Sequence, residues 1–238
     1  MILLFTDFGE EGPYVGEMEA VLARLAPEVP RVRLLSDAPA FDPRRSAYIL
    51  AALAQRFLAG DVCLAVVDPG VGTERAALAL RADGVWFVGP DNGLFELVLR
   101  RAGEAETFRI DWRPPQLSAS FHGRDLFAPV AARLARGDLS ALSPAVPSRF
   151  PLWPDDLPEV VWCDRYGNAW TGLRAAALPP DARLRVSGRE LARARTFGDL
   201  PAGTAFWYEN SAGLVEIAVN CGSAVEALAL GPGSPVDL

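Results

Sequence analysis

Three stretches hold the side chains best able to do chemistry. "LLFTDFG" ends in Asp7 and its neighbours, "VVDPGVGTER" spans Asp68 to Arg75, and "FHGRDLFAP" contains His122, the chain's only histidine. A carboxylate paired with a guanidinium can orient a water or an imidazole without a metal. A titratable imidazole beside that pair can polarise the water. The two glycines between Asp68 and Arg75 allow a tight backbone path along which Arg75 can fold back toward Asp68. A structural ion pair at a loop base and a histidine bonded at a helix start are the plain alternatives. The pattern GxGxxG is absent, so the PGVG turn is no dinucleotide fingerprint. All 23 basic residues are arginine, which removes Schiff-base chemistry and the phosphate-loop lysine together.

A second set lies in the last third of the chain. "CDRYGNAWTG" places Asp164, Tyr166, Asn168 and Trp170 within one strand-turn-strand segment. Flat aromatic faces beside an acid and an amide suit a purine, although an aromatic hairpin would look the same. In "WYENSAGLVEIAV", Asn210 and Ser211 can hydrogen-bond a polar group.

The elements that must position these residues change character along the chain. Residues 2–5, 32–35, 62–67 and 84–89 read as strands, and 62–67 is apolar throughout, as a strand covered on both faces should be. Helices are expected over 14–27, with Val15, Met18, Val21 and Leu22 on one face, and from Asp42, an N-cap followed by proline at the first helical position. Further helices are expected over 92–103 and 125–137, the latter bent near Pro129. This is an α/β layered domain over 1–150 with a mostly parallel sheet. Asp7, Asp68 and Asp91 stand just beyond strand ends, where such sheets keep their ligands. Seven prolines fall between Pro144 and Pro180, and 138–157 reads as a linker. Short strands at 160–163, 183–188, 204–209 and 214–219 then suggest a small β-barrel-like domain over 158–238.

Composition narrows the partners. At 238 residues, with half of them hydrophobic, the chain can bury a proper core. A formal charge of −7 disfavours nucleic acid but not a cationic small molecule. Cys63, Cys163 and Cys221 are far apart in apolar runs and read as buried thiols in a reducing compartment, hence a cytoplasmic protein. One histidine and no paired cysteines leave a conventional zinc site little to work with, and neither a secretory nor a membrane-spanning signal is expected.

Six ordered segments together, "LLFTDFG", "VVDPGVGTER", "GPDNGLFE", "SASFHGRDLFAP", "CDRYGNAWTG" and "NSAGLVEIAVNCGSA", resemble the family of S-adenosyl-L-methionine hydroxide adenosyltransferases, which is related to the adenosyl fluorinases and chlorinases. The resemblance implies an N-terminal α/β domain and a C-terminal β-barrel-like domain in a homotrimer, with substrate at the contact between adjacent subunits. It implies attack of water-derived hydroxide on the ribose C5′, giving adenosine and L-methionine with no cofactor or metal. By the same resemblance Asp7 grips the ribose hydroxyls, with Phe8 beside the pocket and Phe41 as a wall over the sugar. Asp68, Arg75 and His122 match a triad that binds and activates water, with His122 as a possible base. Asp164, Tyr166 and Asn168 match positions around the methionine amino group and the adenine, and Trp170 and Ser211 match pocket neighbours. The related halogenases lack the triad, so it favours oxygen over halide; a halogenase-like enzyme and a non-catalytic sensor of the same ligand are the alternatives. Two departures stand out: Tyr166 replaces a commoner phenylalanine, and Gly172 replaces an asparagine, a loss expected to loosen a turn or a contact.

Overall fold

In the computed structural model, which describes residues 1–238, the apolar run at the start of the chain forms β1 (Ile2–Thr6), buried at all five positions. Then come α1 (Tyr14–Leu25), β2 (Arg31–Leu35), α2 (Pro43–Leu53), β3 (Val62–Val66), β4 (Ala77–Ala82), β5 (Val85–Pro90), α3 (Glu96–Arg101), β6 (Ala105–Ile110), α4 (Ala128–Ala135) and β7 (Leu142–Pro144). Contacts divide the chain into two units, Met1–Phe150 and Pro151–Leu238.

The first unit is built on a seven-stranded sheet of order β2-β1-β3-β5-β4-β6-β7. Strands β2, β1, β3 and β5 are parallel neighbours, and β4 turns back between β5 and β6. Five of the seven strands therefore run in one direction, with β4 and β7 opposed. The sequence reading missed β4 and β6. The Asp83-Gly84 turn that joins β4 to β5 has φ +48° and +81°, the left-handed pair of a two-residue hairpin. Residues 142–144, inside the expected linker, pair with β6 as an edge strand.

Strand alternation divides the core. Ile2, Leu4, Val62, Leu64 and Val66 face α1 and α4, where Met18, Leu22, Phe127 and Val130 are buried. Phe87, in register with Cys63, faces the other way and meets Phe57 and Phe95, beside α2 and α3. Helix α2 starts as its sequence requires: the Asp42 side chain accepts the Arg45 N–H at 2.9 Å and Pro43 occupies the first turn. Helix α3 is shorter than expected, starting at Glu96. The expected bend near Pro129 takes the form of a π-helical turn at Gly123–Phe127, immediately before α4.

The second unit contains β8 (Leu157–Cys163), β9 (Ala169–Arg174), β10 (Leu184–Val186), β11 (Arg189–Leu191), β12 (Ala205–Glu209), β13 (Leu214–Val219) and α5 (Ala224–Leu228). Its main sheet is antiparallel, four-stranded and open, of order β12-β13-β9-β8, while β10 and β11 pair separately. The expected barrel is thus not closed, because β8 and β12 remain sheet edges. Gly172 also differs from expectation. It lies inside β9, where a Cβ would stand 2.5 Å from the Leu157 Cβ, so its role is close strand packing rather than a loosened turn. Of the three thiols only Cys63 is buried. Cys163 is half-buried at the end of β8, and Cys221 is exposed in a turn at φ +54°.

Candidate active site

Thr6 and Val66 are register partners at the ends of adjacent parallel strands, so the loops carrying Asp7 and Asp68 emerge side by side. Asp68 and Arg75 close the 68–75 loop on themselves. The Arg75 Nε donates to Asp68 Oδ1 at 3.0 Å and Nη2 donates to Oδ2, a two-pronged pair whose side chains are 9% and 5% exposed. Gly72, at φ +79°, makes the path possible: a Cβ there would lie 2.4 Å from the Ala119 carbonyl oxygen. That contact also brings the 68–75 loop against the segment leading to His122.

His122 completes the set. Its Nδ1 lies 3.3 Å from Arg75 Nη2. A guanidinium can only donate, so Nδ1 supplies the lone pair and the neutral ring carries its proton on Nε2. Burial first, then the Arg75 charge, hold the imidazole below its usual value near 6.5, against the opposing pull of Asp68. The ring nitrogen that a general base would need is therefore already occupied by Arg75. Arg75 also lies over the Phe127 ring, 5.4 Å from its centroid, and donates to the Ala76 carbonyl at 2.8 Å.

Asp7 accepts the Phe41 N–H at 2.9 Å through Oδ2. Burial raises its carboxyl, that N–H draws it down, and nearby Asp68 adds to the rise, which places the two carboxylates within one electrostatic neighbourhood. Phe41 has φ +59°, an outlier for a bulky residue, and its ring is 78% exposed. Phe8 packs against Tyr14 and Phe121, each 5.7 Å between ring centroids, and Phe121 immediately precedes His122. Asp91, the third strand-end aspartate, is separate: both its oxygens accept from Ser148.

In the second unit Asp164, Tyr166, Asn168, Trp170, Asn210 and Ser211 all line one open cavity of about 740 Å³. Asp164 organises the turn: Oδ1 accepts the Tyr166 and Asn168 N–H groups at 2.8 and 2.9 Å, and Oδ2 accepts the Asn168 amide at 3.0 Å. The Tyr166 ring is left 79% exposed. Trp170 stands edge-on to Trp162 at 5.3 Å. Asn210 accepts the Ala212 and Leu214 N–H groups, shaping the loop that presents Ser211. Sequence reasoning missed Tyr208 and Glu216, which line the same cavity and are joined by a 2.5 Å hydrogen bond from the tyrosine hydroxyl. Their one visible signal was an acid inside the otherwise apolar run "LVEIAV".

Neither unit gathers three or more His, Cys, Asp or Glu side chains as a metal ion would require, and no helix is long and apolar enough to cross a membrane.

Family models match almost the whole chain: the SAM hydroxide adenosyltransferase N-terminal domain over residues 2–143 and its C-terminal domain over 158–237. A curated relative from Thermus thermophilus, named (R)-S-adenosyl-L-methionine hydrolase, is 44% identical, covering 100% of this chain and 98% of the relative. One of the same name from Salinispora arenicola is 42% identical, covering 96% and 93%. Among solved structures, a crystal structure of an uncharacterized conserved protein from Thermotoga maritima superposes with a TM-score of 0.89 at 32% identity, covering 100% of this chain and 99% of that one.

Proposed function

We infer, from a chain that belongs to the SAM hydroxide adenosyltransferase family along nearly its whole length, the chemistry by which it acts on its substrate. The protein hydrolyses S-adenosyl-L-methionine. The finer reading, that water-derived oxygen attacks the ribose C5′, rests on one observation above all: Asp68, Arg75 and His122 form a continuous hydrogen-bonded set beside Asp7.

A sulfonium is already an excellent leaving group, so the protein's task is to align a nucleophile about 3 Å from carbon on the side opposite sulfur. The Asp7 carboxylate accepts from the ribose hydroxyls, with Phe8 and Phe41 beside the sugar. Arg75, immobilised by Asp68, faces the attacking oxygen with positive charge and stabilises hydroxide character as it develops. His122 donates its Nε2–H to that oxygen and fixes its direction. As the C5′–O bond forms, the C5′–S bond breaks and its electron pair stays on sulfur. The products are adenosine and neutral-thioether methionine, and the displaced proton passes to solvent.

The cavity of the second unit receives the adenine and the methionine portion, with Trp170 and Tyr166 as flat surfaces and Asp164, Asn168, Asn210 and Ser211 as polar partners. The two sets of residues form a complete site when one subunit supplies the first and its neighbour in a trimer supplies the second. The exposure of Phe41 and Tyr166 supports this, because both are large rings with little cover in the single chain. No cofactor takes part in the scheme.

Incubation with S-adenosyl-L-methionine in oxygen-18 water without halide tests the reading. Labelled adenosine and methionine are expected from the native protein and lost in His122→Ala. Unlabelled adenosine would mean that the 5′-oxygen comes from a nucleophile other than water, such as a protein carboxylate, and unchanged rates in His122→Ala would remove the triad from the mechanism.

A further inference from the structure

The imidazole of His122 is held by a single hydrogen-bond contact, the 3.3 Å approach of Arg75 to Nδ1, and meets the Phe127 ring edge-on at 6.5 Å. Where its Nε2 points is therefore decided largely by the backbone that carries it. That backbone leads into the π-helical turn at Gly123–Phe127, a distortion frequent at functional sites. The turn fits tightly: a Cβ at Gly123 would lie 3.1 Å from the Met18 sulfur and 3.1 Å from the Phe121 ring.

Two charged neighbours of His122 tie this turn to its surroundings. Arg124 donates to Asp125 through Nε at 2.6 Å and through Nη2 at 3.1 Å, although side chains at adjacent helical positions ordinarily point apart. Its Nη1 donates to Glu17 of α1 at 2.6 Å, and its guanidinium lies 5.1 Å from the centre of the Phe121 ring. Asp125 also accepts the Ser118 N–H at 2.9 Å. Ser118 precedes Ala119, whose carbonyl lies against Gly72, so the same carboxylate braces the 68–75 loop against the segment leading to His122. The Arg124 guanidinium holds the Asp125 carboxyl below the usual aspartate range and so keeps it charged. Neither side chain hydrogen-bonds to the triad, and both line a separate groove of about 690 Å³ with Val21, Trp112 and Arg133.

We propose that Arg124 and Asp125 are positioning residues for the reaction: clamped between α1, Phe121 and Ser118, they aim the His122 ring at the attacking oxygen and maintain the Arg75–His122 contact. The assignment rests on reading Asp68, Arg75 and His122 as the water-activating set. Exposed ion pairs contribute little to stability, and the Arg124 and Glu17 side chains are 34% and 40% exposed. The clamp therefore acts on rate more than on folding.

The test uses the full-length, tag-free protein, whose one histidine gives a single set of imidazole signals in nitrogen-15 histidine NMR. Arg124→Met keeps a stem over Phe121 and removes the charged pairs. Asp125→Asn can still accept from Ser118 but loses the charge that holds Arg124. Arg133→Met, in the same groove but paired with Asp138, is the control. Both clamp variants are expected to lower kcat for S-adenosyl-L-methionine roughly 10- to 100-fold with KM changed by less than about two-fold, the scale for a small misplacement of a reacting group. Their spectra should change from the native Nε2–H form to a mixture of tautomers, while the control matches the native protein in both measurements. A native kcat in either clamp variant, or a loss confined to KM, would overturn the proposal. A lowered kcat with an unchanged imidazole spectrum would place the effect away from His122 and overturn it equally. Failure of both variants to fold would make the pair a support of the fold alone, again against the proposal. If the native protein leaves S-adenosyl-L-methionine intact, the functional reading fails, and the imidazole spectra by themselves then decide the clamp.

Discussion

Arg75 Nη2 donates to Asp68 and lies 3.3 Å from His122 Nδ1, so one guanidinium fixes a carboxylate and the tautomer of the only histidine. Replacing it separates electrostatics from scaffolding. Arg75→Ala is expected to lower kcat by about 10²- to 10³-fold, the scale for removing a preorganised charge-stabilising donor. Arg75→Lys should recover only part of this, because an ammonium cannot reproduce the two-pronged contact with Asp68. Rates at saturating substrate decide it, and a native rate in Arg75→Ala would remove the charge from the mechanism.

The lowered pKa of His122 has a definite sign. Below the usual value near 6.5 the unfolded chain takes up a proton that the folded protein resists. The histidine's contribution to stability is therefore full above pH 6.5 and is lost as pH falls through the lowered folded value. Activity follows the same neutral form. The rate should be level near neutrality and decline in acid with a midpoint below 6.5, and His122→Asn should abolish that inflection. A midpoint above 6.5 in the profile of kcat/KM would contradict the Arg75–His122 geometry.

Asp7 offers a ligand-specific test. Asp7→Asn can still accept the Phe41 N–H but loses the charge that the proposed ribose contact uses. KM is expected to rise roughly 10- to 100-fold. The variant should also lose the native protein's preference for the ribose form over a 2′-deoxyribose analogue. Retention of that preference would place the sugar elsewhere.

Gly72 tests the loop path. A Cβ at φ +79° would stand 2.4 Å from a backbone oxygen, so the loop must move. Gly72→Ala is expected to cost about 1–3 kcal/mol of stability, measured by denaturant unfolding, and to reduce activity by displacing Arg75. Gly137→Ala, also at positive φ but with nothing within 4 Å of the added Cβ, is the control and should leave activity unchanged.

Subunit mixing tests the composite site. Arg75→Ala damages only the first set of residues and Trp170→Ala only the second. In trimers assembled from equal amounts of both, roughly a quarter of the sites should combine an intact first set with an intact second set. Activity rising from near zero in each parent to about that fraction of native, with a solution mass three times 25.6 kDa, is the expected result. Mixed trimers as inactive as their parents would place each site within one subunit.

Much of this protein was legible one segment at a time. The apolar run of β1, the Asp42-Pro43 start of α2 and the change to short β elements after Pro151 are set by local sequence, so residues close in the chain reveal them. The candidate residues of both units could likewise be named from residue type and from motifs in order. Tertiary structure alone decided which of them meet. His122 reaches Arg75 across 47 residues because Gly72 lets the 68–75 loop lie against Ala119, and this contact fixed the imidazole tautomer. β4 and β6 find each other only through long-range pairing. Glu216 passed unnoticed because its run reads as a buried strand. Only the register that sets it beside Tyr208 and Trp170, with no arginine paired to it, places this buried glutamate on the cavity side, since the free energy of a buried charge depends on neighbours that distant segments supply.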